Sequence, residues 1–307
     1  MRKSVRSFSA LVGGVAAAVA LLCGGGQAYA TPADDADKTE VKIPAGEVVL
    51  AGTLYRPAGA KGALPVVVLS HGSGAGVRSK GGDYWTNTAL RTGLAVLTFD
   101  KRGSGDTAGK LPPYTVANTS EMFQALASDL VHAVRWVEKQ PGIDKNRIGL
   151  MGGSQAGWIM PLAASQEPLV KFVIAGEGVP LSAGLEDAHG AYIDALNKGS
   201  ERGATLPQIA HADILGLDFD NAPGFDPAPL FEKLEIPVLW TVGLYDGLIP
   251  ARQSIDAIGH LHKRGKTNHH LHIFPFGDHD FLNVMTGQRY DVAAVSRDWL
   301  KTVGVTK

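Results

Sequence analysis

The sequence has almost no cysteine. Its single copy, Cys23, lies within the first thirty residues. The rest of the chain therefore has no thiol for a disulfide, a thiolate nucleophile or a soft metal site. An excess of charge is also missing: Lys and Arg total 29 against 30 Asp and Glu, which offers no basic surface to nucleic acid or an anionic membrane. There is no internal repeat and no low-complexity tract, and no lysine follows the glycines of "HGSGAG" (71–76) in the position a phosphate loop requires. What is present is 307 residues, 45% of them hydrophobic, enough to bury a large core in one α/β domain.

An apolar run occupies residues 10–22, after Arg2, Lys3 and Arg6 and before Ala28-Tyr29-Ala30. A basic start, an apolar stretch and small residues at a cleavage position are the layout of a secretory signal peptide. The run is short beside the roughly 20 residues of a membrane span, and Leu22 is too large to precede a lipid-modified Cys23. The expectation is a leader over residues 1–30, cleaved near Ala30, and a periplasmic or secreted domain over 31–307. Loss of the three basic residues leaves that domain mildly acidic. The polar "DDADK" (34–38) reads as a loose tail.

"GEVVLAGTLYRP" (46–57) alternates apolar and polar residues and predicts an antiparallel edge hairpin. Beyond it the pattern changes to short continuous apolar runs: "PVVVLS" (65–70), "AVLTFD" (95–100), "RIGLMG" (147–152), "FVIAG" (172–176), "PVLWTVG" (237–243) and "HLHIFP" (270–275). Such runs are strands covered on both faces, as in a parallel sheet. In "SEMFQALASDLVHAVRWVEKQPG" (120–142), Phe123, Leu126, Leu130, Val134 and Val137 fall on one helical face, and Pro141-Gly142 ends the helix. Alternating strands and helices predict an α/β sandwich. About 55 residues separate Val179 from Leu234, more than a crossover needs. They contain the helical "LEDAHGAYIDALNKG" (185–199), so a lid insertion is expected over about 180–234.

Ligands of open parallel sheets bind beyond the carboxyl ends of the strands. In "GLMGGSQAGW" (149–158), Ser154 stands at such an end among small residues, with a helix start behind it. Strand, tight turn and helix make the elbow that exposes a nucleophilic hydroxyl, with Ala156 where the usual G-x-S-x-G pattern has its last glycine. A serine needs a base. His279 in "FPFGDHDF" follows the last apolar run, and imidazole titrates near neutrality. The imidazole needs a carboxylate, and Asp246 in "TVGLYDGLIP" follows the preceding strand. Glu177 after "FVIAG" is its rival; Asp278 and Asp280 adjoin His279 too closely in sequence to share its site. The oxyanion of a tetrahedral intermediate needs donors: the amide of Gln155 at the helix start and that of Ser73 in the glycine-rich loop are the candidates.

"HGSGAG", "FDKRGSGDT", "GGSQAG", "GLYDGLIP" and "GDHDF" together resemble the α/β-hydrolase superfamily, most nearly bacterial dienelactone-hydrolase-like and serine-aminopeptidase-like hydrolases, over about residues 45–303. The resemblance implies the α/β-hydrolase fold: an eight-stranded, mostly parallel sheet, helices on both faces, a small helical lid, and Ser154, Asp246 and His279 as catalytic triad. It also implies that Asp100 and Arg102 brace the site. The pair His270 and His272 could share a strand face but has no carboxylates at ligand spacing, so no metal and no cofactor is expected. His132, Trp158 and Trp240 read as ordinary boundary and core residues. The expected activity is a carboxylesterase acting on a small acyl ester. A peptidase or amidase, with Glu177 or Glu186 binding an amine, is the alternative; a binding protein that keeps the scaffold without catalysis is a third reading.

Overall fold

The computed structural model describes residues 32–79, 82–199, 205, 208–209 and 223–307. The predicted leader and part of the predicted lid (180–234) lie outside the described residues. Eight strands form one sheet: β1 (Asp37–Ala45), β2 (Val48–Arg56), β3 (Leu64–Ser70), β4 (Ala95–Phe99), β5 (Ile143–Gly153), β6 (Val170–Gly176), β7 (Val238–Gly243) and β8 (His269–Phe274). Their order across the sheet is β1-β2-β4-β3-β5-β6-β7-β8. Only the β1–β2 and β2–β4 pairs are antiparallel; the other pairs run parallel. All six continuous apolar runs are strands, and their alternate residues serve two cores. Val66, Val68, Leu150 and Val173 face one side with helices α3 (Thr119–Val137) and α4 (Ala156–Gln166), whereas Val67, Leu69, Met151 and Ile174 face the other with α2 (Tyr84–Leu90) and helix Val292–Thr302. Both faces are apolar because both are covered. The five residues predicted for the buried face of α3 are all buried, and its Phe123 ring stacks on Trp158 at 5.1 Å.

The N-terminal edge differs from expectation. "DDADK" is not a loose tail: α1 (Pro32–Asp35) buries Ala33, whose amide donates to Asn87 Oδ1 at 3.0 Å, and β1 begins at Asp37. β1 shows solvent most of its side chains, among them Lys38, Glu40 and Lys42, so its sequence carries no hydrophobic signal. The stretch read as a hairpin supplies only the turn and the second strand, with Gly46 at φ 62° reversing the chain. After β6, α5 (Ala183–Lys198) confirms the helix expected there. Thr31–Lys307 forms one compact unit. Among the described residues no helix is long and apolar enough to cross a membrane.

Candidate active site

The carboxyl ends of the parallel strands converge on Ser154. β5 ends at Gly153 and α4 begins at Ala156, so two residues make the reversal, and Ser154 adopts φ 56°. A side chain in that region carries about 1–3 kcal/mol of strain. The chain holds it there: the Ser154 amide donates to Gly176 O at 3.0 Å, and Ser154 O accepts from the Gly157 amide at 2.8 Å. Close approach explains the glycines. A Cβ on Gly152 would lie 2.2 Å from Ser70 O, and one on Gly157 would lie 2.6 Å from Gly178 Cα. Ala156 is accepted at the family's glycine position because its methyl faces the bare Cα of Gly152.

Asp246 follows β7 on a turn that buries it, at 2% exposure. Its Oδ1 accepts from the amides of Leu248 (2.7 Å) and Ile249 (3.0 Å), which leaves Oδ2 to accept from His279 Nδ1 at 2.7 Å. With Nδ1 donating, Nε2 is the basic nitrogen. Burial disfavours the imidazolium, but the Asp246 hydrogen bond and the charges of Asp246, Asp280 and Glu186 outweigh it, and His279 titrates above its ordinary 6.5.

Glu177 is not the carboxylate that meets His279. It is buried at φ 46°, and both its oxygens accept from the Gly243 amide, at 2.9 and 3.1 Å. Burial raises its pKa well above the usual carboxylate range, and the neighbouring Asp246 raises it further. Asp278 caps its own turn, accepting from the amides of Asp280 and Leu282 at 3.0 and 2.8 Å.

Ser154 stands where two cavities of about 440 Å³ each meet. One is lined by Ser73, Gln155, Tyr114 and, from α5, Glu186, Asp187 and Asp194. Burial, reinforced by Asp187, raises Glu186 to about 7. The other is lined by His279, Glu177, Tyr84, Trp85, Phe281 and Arg289. Its rings pack on one another at 5.2–6.1 Å, and the Arg289 guanidinium lies 5.1 Å from the Tyr84 ring centre. Among the described residues, neither the Ser73 nor the Gln155 amide finds a protein acceptor.

In the "FDKRGSGDT" loop, Asp100 and Arg102 each bind a separate partner rather than one another. Asp100 takes the amides of Arg78 and Asp106 (2.7 and 2.9 Å) and the Arg78 guanidinium, whereas Arg102 forks onto Asp129 at 2.7 and 2.6 Å. Lys101 between them turns inward. Sequence reasoning passed over it because a lysine between two charged residues ordinarily faces water; its place just beyond β4 was the available signal. The aromatic wall of Tyr84, Trp85 and Phe281 was also missed, since α2 carries no motif. Trp158 and Trp240 are core residues as read, and the His132 ring pairs with Ser128 O one turn back at 2.7 Å. His270 and His272 rest on Trp299 and Phe274. Among the described residues no group of three His, Cys, Asp or Glu is placed to hold a metal ion.

Known proteins resemble this arrangement at two levels. Residues 83–304 match the model of the prolyl oligopeptidase family, a span that includes Ser154, Asp246 and His279. A 31.7 kDa Escherichia coli protein from the traX-finO intergenic region is 31% identical over 274 residues, covering 77% of this chain and 90% of its own. The acylaminoacyl peptidase of Pyrococcus horikoshii superposes with a TM-score of 0.63 at 18% identity, over 88% of this chain and 42% of its own, so the chain spans about two-fifths of that enzyme. An esterase of Pyrococcus furiosus superposes with a TM-score of 0.60 at 18% identity, over 87% and 91%. At such identities the two structures speak to the fold, and the family match speaks to descent. The chain belongs to the prolyl oligopeptidase family within the α/β-hydrolase superfamily, and is a hydrolase of its serine peptidase and esterase group.

Proposed function

We propose that this hydrolase is a carboxylesterase whose nucleophile is Ser154. The observation that carries the reading is the 2.7 Å Asp246–His279 hydrogen bond on the wall of a cavity that a strained Ser154 also lines. Ser154 Oγ adds to the ester carbonyl carbon while its proton passes to His279 Nε2. The resulting oxyanion is met by the amides of Ser73 and Gln155. Collapse breaks the bond to the alkoxide, which takes the proton from Nε2 and leaves as alcohol. Water then repeats the sequence on the acyl-enzyme, giving the acid and restoring Ser154. Asp246 keeps the imidazole in the productive tautomer and stabilises its cation.

Because the leaving group receives its proton from His279, it occupies the aromatic cavity, and the acyl group lies in the cavity beneath α5. Volumes of about 440 Å³ suit small molecules. The reading as an ester rests on chemistry: an alkoxide leaves more readily than an amine. One observation favours a peptidase instead, the carboxylates of Glu186, Asp187 and Asp194 on the acyl side, which suit an α-amino group on the acyl residue. The N-terminal leader pattern supports export. Turnover of short p-nitrophenyl esters against aminoacyl anilides tests the substrate class. Faster kcat/KM on the esters is expected; cleavage of the anilides alone overturns the esterase reading.

A further inference from the structure

Lys101 is a buried cation that the steps above do not use. It lies two residues beyond β4 at 3% exposure. Its Nζ donates to Gly72 O, to Gly74 O at 3.4 Å and to Gln155 Oε1 at 3.0 Å. The glycine-rich loop is wrapped around it. The Lys101 amide donates to Gly76 O at 2.9 Å, a Cβ on Gly76 would lie 2.7 Å from Lys101 Cδ, and the preceding His71 ring is anchored at 2.9 Å from Phe99 O. All three acceptors of the ammonium are neutral oxygens, so its charge is hydrogen-bonded but not cancelled by them. Burial lowers its pKa to about 8, which leaves it predominantly protonated at neutral pH.

The acceptors matter because of what they are bonded to. Gly72 O belongs to the same peptide group as the Ser73 N–H. That group is planar and trans, so the direction of its carbonyl fixes the direction of its amide. A cation on the carbonyl oxygen also draws electrons from the nitrogen and strengthens the N–H as a donor. Gln155, the third acceptor, carries the other unpaired amide. Gly72 itself lies against the nucleophile: a Cβ there would be 3.5 Å from Ser154 Cβ. One ammonium thus joins the two segments, separate in sequence by about eighty residues, that must present their amides to a single oxygen atom.

We propose that Lys101 is the positioning residue of the oxyanion hole, fixing and polarising the Gly72–Ser73 peptide while holding Gln155 in register with it. The inference rests on the serine-hydrolase reading above. It differs from a purely structural role in what it predicts. An oxyanion forms only in the transition state, so loss of Lys101 lowers kcat and spares KM.

The test compares the purified wild-type protein with Lys101→Met and Lys101→Arg. Each is titrated with a fluorophosphonate to count competent Ser154, melted to check folding, and assayed with p-nitrophenyl acetate and an arylboronic acid inhibitor. Per titrated site, Lys101→Met is expected to lose about 10- to 100-fold in kcat with KM within about twofold, and to bind the boronate more weakly by a similar factor. Lys101→Arg, which keeps the charge, is expected to recover most of both. Wild-type kcat and boronate affinity in Lys101→Met overturn the inference. So does a loss of activity that vanishes per titrated site, or a fully titratable Lys101→Arg as impaired as Lys101→Met. If the wild-type protein is not labelled at Ser154, the parent reading falls and takes this one with it, an outcome distinct from the others.

Discussion

The two cavities that meet at Ser154 are built in opposite ways. The His279 side is framed by strand ends and by rings that brace one another, Tyr84, Trp85 and Phe281, and it carries the hydrogen-bonded Asp246–His279 pair. The other side is roofed by α5, whose Glu186, Asp187 and Asp194 line the space. The first resembles machinery, held by packing; the second joins the Ser73 and Gln155 amides to an acidic α5 wall that resembles a selector. The difference teaches that reaction and preference are separable here, and substitutions can be chosen to divide them.

The largest effect belongs to the group both cavities share. Ser154→Ala is expected to cost roughly 10⁴-fold or more in kcat on every substrate, read by initial rates on esters and anilides alike. Asp246→Asn, on the His279 side, leaves the imidazole without its tautomer anchor and is expected to cost about 10⁴-fold, again regardless of acyl group. An effect confined to one acyl class would break the division. The same side sets the pH profile. His279 must be neutral to accept a proton and its pKa is raised, so kcat/KM should fall about tenfold per pH unit as pH drops below an apparent value above 6.5.

Smaller effects belong to the α5 wall of the other side and to Glu177. Glu186→Gln is expected to leave simple acetate esters nearly unchanged and to reduce kcat/KM for acyl groups bearing a free amine by about tenfold, the scale of one weakened ionic contact. In the wild-type protein that preference should fade as pH falls through about 7, where Glu186 takes up a proton; a preference flat with pH removes Glu186 from the selector. The smallest effect is expected at Glu177. Burial and the adjacent Asp246 favour its protonated form, so it should tolerate Glu177→Gln within about threefold in kcat/KM. A loss as large as that of Asp246→Asn would show it to be an ionised member of the machinery.

The same division describes what the sequence made legible. The strands were readable because covering both faces demands continuous apolar runs, and Ser154 was readable because only small residues allow the close approaches at Gly152 and Gly157. Asp246 and His279 followed from strand ends and chemical need. β1 was not, since an exposed edge strand has no apolar face to advertise. Lys101 was hidden because its function depends on oxygens that neighbour it only in three dimensions, and Glu177 could be cleared as rival only once its contact with the Gly243 amide was known. The acidic lining from α5 was legible as carboxylates but not as a wall, because the packing of a helix is set by the surface it lands on.

The central claim is that Ser154 is a nucleophile made reactive by His279. Its most direct test is fluorophosphonate labelling followed by peptide mass spectrometry on the wild-type protein and His279→Ala. The expected result is one label per chain, on Ser154, at a rate that falls by about 10³-fold or more without the imidazole. Labelling at the same rate in both proteins, or a wild-type chain left unmodified at Ser154, would contradict it.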